Sequence, residues 1–192
     1  MTTFTNKDFN SSDGMMTSIW GPPLWHFLHT MSFNYPCKPT EKDKQHYKKF
    51  IDSLKFILPC KYCRDNLSNN LKQSKYSTAV FKNRTTFSRW MYTLHETVNK
   101  MLGKKSNISF NKVKETYEQF RSRCIDDKNV SVCKELKYEK GCITPFYGKK
   151  TKCVLEIVPT KSKKKSFNIN SSCMIKRKSP VLRKNKKKNK NK

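Results

Sequence analysis

Residues 40–71 read TEKDKQHYKKFIDSLKFILPCKYCRDNLSNNL. Tyr47, Phe50, Ile51, Leu54, Ile57 and Leu58 recur every three or four residues, which draws an apolar stripe along a helix rather than the alternation of a strand. Thr40 followed by Glu41 and Asp43 suits that helix's N-terminus, and Pro59 interrupts the pattern. Beyond it, Cys60, Cys63, Leu67 and Leu71 share one side of a further, shorter helix that begins with two thiols.

The same periodicity extends outward from this stretch. Upstream, Trp20 to about Asn34 places Leu24, Trp25, Leu28, His29 and Met31 at helical spacing, with Pro22 and Pro23 in a first turn and Pro36 beyond the end. Downstream, Phe87, Trp90, Met91, Leu94, Val98 and Leu102 mark a helix over about Thr85 to Leu102 that Gly103 stops. A fifth helix carries Val113, Tyr117 and Phe120 and ends near Cys124. Strand-like alternation is nearly absent before residue 150 and the connections are short. The expected fold is all-α, an antiparallel four-helix bundle with a short fifth helix.

Charge divides the chain into core and appendages. The 192 residues carry 42 Lys+Arg against 14 Asp+Glu, a net charge of +28, and the mean hydropathy is -0.86. Apolar residues at 35% suffice for one compact core and hardly for two. Residues 161–192 hold 14 of the cations and no acid, too few apolar groups to offset chain entropy. The expected organisation is a disordered N-terminus over 1–17, a helical domain over 18–124, a cysteine-containing appendage over 125–160 and a basic disordered tail over 161–192. No run approaches the length of a membrane helix, and the first residues lack the pattern of a signal peptide. A soluble protein of a reducing, cytoplasmic compartment is expected, where eight cysteines need a reason.

PCKYC at 59–63 is the sharpest local signal. Two cysteines separated by two residues at a helix start can close a reversible disulfide, and the helix dipole, with Lys61 and Arg64, favours the thiolate that exchange requires. The competing readings are half of a zinc site or a structural pair; a four-ligand zinc site needs a second close pair, which this chain lacks, so no metal ligand is assigned. A thioredoxin-like setting needs a preceding strand, whereas FIDSLKFIL has helical period. A lone dithiol reacts poorly with oxygen, so a redox role implies a cofactor. His95 and Asn99 lie one turn apart, with Trp90, Leu94 and Val98 forming an apolar wall beside them. That face could take a ring system, or the two polar groups could be satisfied in a bundle seam.

The order WGPPLWHFLHT, an amphipathic helix, PCKYC, FSRWMYTLHETVNKMLGK and NKVKETYEQF closely resembles the Erv/ALR family of FAD-linked sulfhydryl oxidases over about Trp20 to Cys124. The resemblance implies a helical bundle, a homodimer, and FAD clasped near the cysteine pair. Cys60 would exchange with an incoming dithiol and Cys63 would face the flavin. Trp25, His29 and Tyr35, then His95, Val98, Asn99, Leu102 and Lys104, would contact the cofactor; Trp90 begins the family's fourth-helix motif and Gly21 the cofactor-facing turn. Tyr117 stands where the family has a tryptophan. Pro22 stands where it commonly has an arginine. No cysteine lies near Phe110 to partner Cys124 in the family's structural bridge. Cys37, Cys133, Cys142, Cys153 and Cys173 are available, and their pairing is not fixed by spacing.

The resemblance implies an enzyme that oxidises protein dithiols, directly or through a thioredoxin-like carrier, and passes electrons through Cys60, Cys63 and FAD to O2, forming hydrogen peroxide. By analogy with family members of large DNA viruses, the host cytoplasm or virion is the expected setting. The alternative is a basic nucleic-acid-binding module with a structural or metal-binding CxxC. Lysines interspersed with asparagines give the tail charge without sequence readout, so contact with nucleic acid or an acidic partner would be non-specific and salt-sensitive.

Overall fold

The computed structural model describes residues 4–124, 141–147, 149, 152–154 and 162. Its helices are α1 (Asn6–Phe9), α2 (Thr17–Asn34), α3 (Glu41–Ile57), α4 (Lys61–Gln73), a short 3-10 helix (Thr78–Lys82), α5 (Arg84–Met101) and α6 (Phe110–Glu118). The protein is mostly helical, as the periodicity predicts. α2 packs on α5, α3 on α4, α4 on α5, and α6 against α2 and α5, while the 3-10 helix bridges α3 and α5.

Local chemistry sets the boundaries. Thr40 caps α3 through a reciprocal box with Asp43, and Leu58 and Pro59 end the helix. Asn83 caps α5 in the same manner with Thr86. α5 closes on Gly103, whose φ of +67° is the left-handed conformation glycine adopts without strain. There Gly103 N–H donates to the Lys100 carbonyl and Lys104 N–H to that of Asn99, which satisfies the helix end and fixes Lys104 beside it.

The core follows the predicted stripes. Leu28, Ile51, Leu54, Leu67, Leu71, Phe81, Phe87, Trp90, Met91 and Leu94 form one buried cluster, and Cys63 packs against it from the start of α4. Tyr35 is wholly buried and gives its hydroxyl to the Phe81 carbonyl at 2.8 Å.

Four expectations need correcting. α2 opens at Thr17, so Pro22 and Pro23 lie inside it rather than in a first turn. They are tolerated because what each removes is a single amide bond to Ser18 or Ile19, close to the helix start. Residues 4–17, expected to be disordered, hold a capped α1 and a segment bonded to Pro59. α6 ends at Glu118 and not near Cys124; Ser122–Arg123 instead pairs antiparallel with Thr144–Pro145 as a two-stranded ribbon, β1 and β2. Cys124, left without a partner by the sequence, is bonded to Cys142. Most of the appendage over 125–160 and nearly all of the basic tail over 161–192 lie outside the described residues. Among the described residues no helix is long and apolar enough to cross a membrane.

Candidate functional site: a dithiol turn and a buried histidine pair

Cys60 is the N-cap of α4. Its sulfur accepts the Cys63 amide N–H at 3.3 Å, the role an oxygen plays at most helix starts. The Cys63 side chain, then the Cys63 and Tyr62 amides and the Arg64 charge, hold the Cys60 thiol below its ordinary range. Burial pushes Cys63 the other way, reinforced by its bond to Cys60 and the charge there. Two chemically identical groups three residues apart are thus divided into one at the rim whose thiolate is favoured and one packed on the core whose neutral thiol is favoured. Arg64 donates to the Leu58 carbonyl and Lys61 to Asp65, so both nearby cations are held by their own turn.

A second cluster forms where α2, α5 and α6 meet. The Trp25 and His95 rings stack at 4.0 Å, within 4° of parallel, and His29 Nε2 lies 3.0 Å from His95 Nδ1. Burial is the main reason that His29 falls to about 3 and His95 to about 4, so both rings are neutral at pH 7. Neutral histidines at this distance share one hydrogen bond, and the remaining His29 Nδ1 is buried with no partner. The Tyr117 ring lies 5.2 Å from that of His29, and its hydroxyl is 3.4 Å from His26 Nδ1.

At the C-terminal end of α5, the Glu96 carboxylate accepts from Ser106 Oγ at 2.8 Å and from Asn99 Nδ2 at 3.1 Å. Tyr92 gives its hydroxyl to the Ile108 carbonyl. These bonds hold the 103–109 loop over a shallow depression of about 630 Å³, lined in part by Lys100, Lys104 and Lys105. The Lys104 charge contributes to the depression of His95, which places ammonium and imidazole within electrostatic reach.

The structure therefore brings Trp25, His29, His95 and Tyr117 into contact, with Val98 and Asn99 half-buried on α5 and Leu102 and Lys104 exposed just beyond its end. Tyr35 and Trp90 stand apart from that cluster as core residues. Trp90 packs on Phe87 and Tyr76, its indole N–H buried without a partner. Gly21 lies within α2, where an added Cβ would meet open space. His26 and Glu96 escaped the sequence reading. His26 sits between Trp25 and Phe27 and shows its role only once α6 brings Tyr117 to it; Glu96 sits in the HETVN run but finds Ser106 only after the chain turns at Gly103.

A helix-capping CxxC and a histidine pair drawn from the first and fourth long helices both fall within residues 22–118, which match the sequence profile of the Erv1 / Alr family. The chain belongs to the Erv1 / Alr family. A probable FAD-linked sulfhydryl oxidase of Acanthamoeba polyphaga mimivirus is 36% identical over 91 residues, covering 47% of this chain and 64% of its own. The FAD-linked sulfhydryl oxidase of African swine fever virus (isolate Pig/Kenya/KEN-50/1950) is 30% identical over 129 residues, covering 67% and 93%. An Arabidopsis thaliana FAD-linked sulfhydryl oxidase is 36% identical over 84 residues, 44% of this chain and 42% of its own. The chain thus spans less than two thirds of the mimivirus and plant relatives. The crystal structure of the yeast Erv1 core superposes with a TM-score of 0.48 at 25% identity, covering 56% of this chain and 88% of that one. Within this Erv1 / Alr chain, the Cys124–Cys142 bridge joins the residue after β1 to the segment ahead of β2, and at the other end of the ribbon Phe146 N–H donates to the Arg121 carbonyl.

Proposed function

We propose that this Erv1 / Alr chain is a FAD-linked sulfhydryl oxidase that forms disulfides in protein dithiols. The observation that carries the reading is the division of Cys60 from Cys63: one thiol caps a helix at the rim, the other packs on the core. In the oxidised pair, a substrate thiolate attacks the Cys60 sulfur, a mixed disulfide forms, and Cys63 leaves as the thiolate with the electron pair. The substrate's second thiolate then attacks its own sulfur in that mixed disulfide. This closes the substrate disulfide and releases Cys60, with two electrons now held by the Cys60–Cys63 dithiol. The low-lying Cys60 thiol is the better leaving group of the two in that second step.

The residues fit FAD by their chemistry. An unpartnered buried His29 Nδ1, a Trp25–His95 aromatic stack and a lysine-rich loop together suit a planar heteroaromatic with attached phosphates. Trp25, His29, His95, Val98, Asn99, Leu102, Lys104 and Tyr117 would hold it, with Gly21 on the same helix as Trp25 and Trp90 in the core on the same helix as His95. Tyr35 supports the site from the core. Held by these residues, FAD would supply an acceptor for the two electrons of the dithiol and a route for them to O2, with hydrogen peroxide as the product. The neutral histidines keep positive charge out of the stack, while Lys104 stands ready for an anion.

The exposed Ile19 and Phe27 on α2, with Phe27 edge-on to Phe50 of α3, support a homodimer through that face. Relatives named from mimivirus, Invertebrate iridescent virus 6 and African swine fever virus support a viral setting in host cytoplasm or virion. Protein dithiols or a thioredoxin-like carrier would be the donors, and the basic tail would add non-specific contact with nucleic acid or an acidic partner. Among the described residues no group of three or more His, Cys, Asp or Glu side chains is placed to hold a metal ion.

The deciding experiment is spectroscopic. Purified full-length protein is expected to be yellow, to bleach on adding dithiothreitol and to recover its colour in air with uptake of oxygen. Protein that stays colourless after refolding with FAD, and consumes no oxygen when reduced, would overturn the assignment.

A further inference from the structure

The segment ahead of α2 lies against the dithiol turn. Met15 N–H donates to the Pro59 carbonyl at 2.8 Å, and the Trp20 indole N–H donates to the Met15 carbonyl at 2.9 Å. A Cβ on Gly14 would come within 2.8 Å of the Pro59 oxygen and 3.3 Å of the Cys60 Cα. Backbone therefore packs on backbone there, and a side chain would force the segment away. Residues 1–36 contain no cysteine, so this strap cannot relay electrons itself.

What the strap offers is apolar surface. Met15 and Met16 are 69% and 67% exposed, and Tyr62, on the other side of Cys60 in sequence, is 59% exposed. The neighbouring cations are engaged elsewhere, Lys61 by Asp65 and Arg64 by the Leu58 carbonyl. On the reading that Cys60 exchanges with substrate, a mixed disulfide sets the substrate cysteine Cα within about 7 Å of the Cys60 Cα. Its neighbours, about 3.8 Å farther along the chain at each residue, then lie over whatever flanks Cys60. Thioether chains are unbranched and adaptable, and they suit apolar side chains of varied shape better than one fixed sequence.

We propose that the strap Ser11–Met16 is a substrate-facing wall of the exchange site, and that Met15, Met16 and Tyr62 seat apolar residues flanking the cysteine of a polypeptide substrate. The inference rests on the dithiol-oxidase reading for the role of Cys60, and goes beyond it in naming what the substrate presents.

The test uses the full chain carrying Cys63→Ser, which keeps the amide that bonds Cys60. Two peptides are compared, one with leucine and phenylalanine flanking its cysteine and one with serines, each cysteine carrying thionitrobenzoate in a disulfide. The Cys60 thiolate attacks the peptide sulfur, a new disulfide forms between them, and thionitrobenzoate leaves with the electron pair. Peptide mapping restricts the rate to Cys60. The apolar peptide is expected to react at least about tenfold faster, the discrimination that seating one apolar side chain gives. Met15→Ser with Met16→Ser, and separately Tyr62→Ser, are expected to shrink that ratio toward one, and Gly14→Val to do the same by displacing the strap. These substitutions fall on exposed or backbone-packed positions outside the core, and circular dichroism checks that the helices remain. Equal rates in the parent, or a ratio that survives the double substitution, would overturn the proposal. No reaction at Cys60 with either peptide would defeat the exchange role of Cys60, and this inference with it.

Discussion

The dithiol turn and the histidine cluster tune their ionisable groups by opposite means. At the turn, Cys60 and Cys63 are separated by two residues, and the Cys63 thiol, then the local amides and a nearby guanidinium, favour the thiolate at Cys60. In the cluster, His29 and His95 lie 66 residues apart on different helices and are made neutral mainly by burial. Stabilising a charge needs donors that the helix start provides by itself. Keeping a base uncharged needs only that water be excluded, which packing between helices provides. The thiolate-favouring group sits at the rim and a neutral aromatic surface lies inside, which is the arrangement the proposed passage of electrons from a dithiol to a flat acceptor requires.

The sharpest way to break this comparison is Cys63→Ser. Turnover of any dithiol is expected to fall by at least about a thousandfold, because the pair can no longer close a disulfide. The flavin band should no longer bleach with reductant; stoichiometric bleaching in the variant would remove Cys63 from the role given to it. His95→Ala ranks next. Losing the Trp25 stack and the bond to His29 is expected to weaken FAD binding by about 10- to 100-fold in a fluorescence titration, whereas unchanged affinity would place the cofactor elsewhere.

The histidines also set a pH dependence. Both titrate lower in the folded protein than in the unfolded chain, so the unfolded state takes up protons first as the pH falls. The stability they allow is complete above about pH 6.5 and is lost progressively toward pH 4, with a slope of about 1.4 kcal/mol per pH unit for each proton. Urea midpoints of the cofactor-free protein at pH 7 and pH 5 should therefore differ, and His29→Gln should reduce the difference. A difference that the variant leaves intact would assign the acid sensitivity to groups other than His29.

How much of this was legible in the sequence follows from the same contrast. Helix positions and the core stripe were open to reading because Ile51, Leu54, Phe87 and Leu94 repeat at the period that buries them. The CxxC turn was legible because its parts are neighbours in the chain. The His29–His95 bond was not, since each histidine equally suits a bundle seam until α2 and α5 are docked. Nor was the Cys124–Cys142 bridge, which depends on a two-residue ribbon too short to leave a pattern. The strap over Pro59 left only Gly14 as a trace, one glycine among polar residues whose need for closeness becomes visible when the backbones touch.

The smallest effects test whether Cys60 belongs to the fold or to the chemistry. Thr40→Ala removes the box that starts α3 and should cost about 1 kcal/mol in urea unfolding, with turnover of the remaining folded protein retained. Cys60→Ser puts an oxygen where a sulfur now caps α4, and oxygen is the better acceptor for the Cys63 amide. Stability should then hold, or rise by roughly 0.5 kcal/mol at most, while turnover disappears. A position that improves its helix when its chemistry is destroyed is one where sulfur was kept for reactivity. A loss of more than about 1 kcal/mol in Cys60→Ser would mean instead that the sulfur is a packing group, the kind of penalty expected from a disturbed core and not from an exchanged cap.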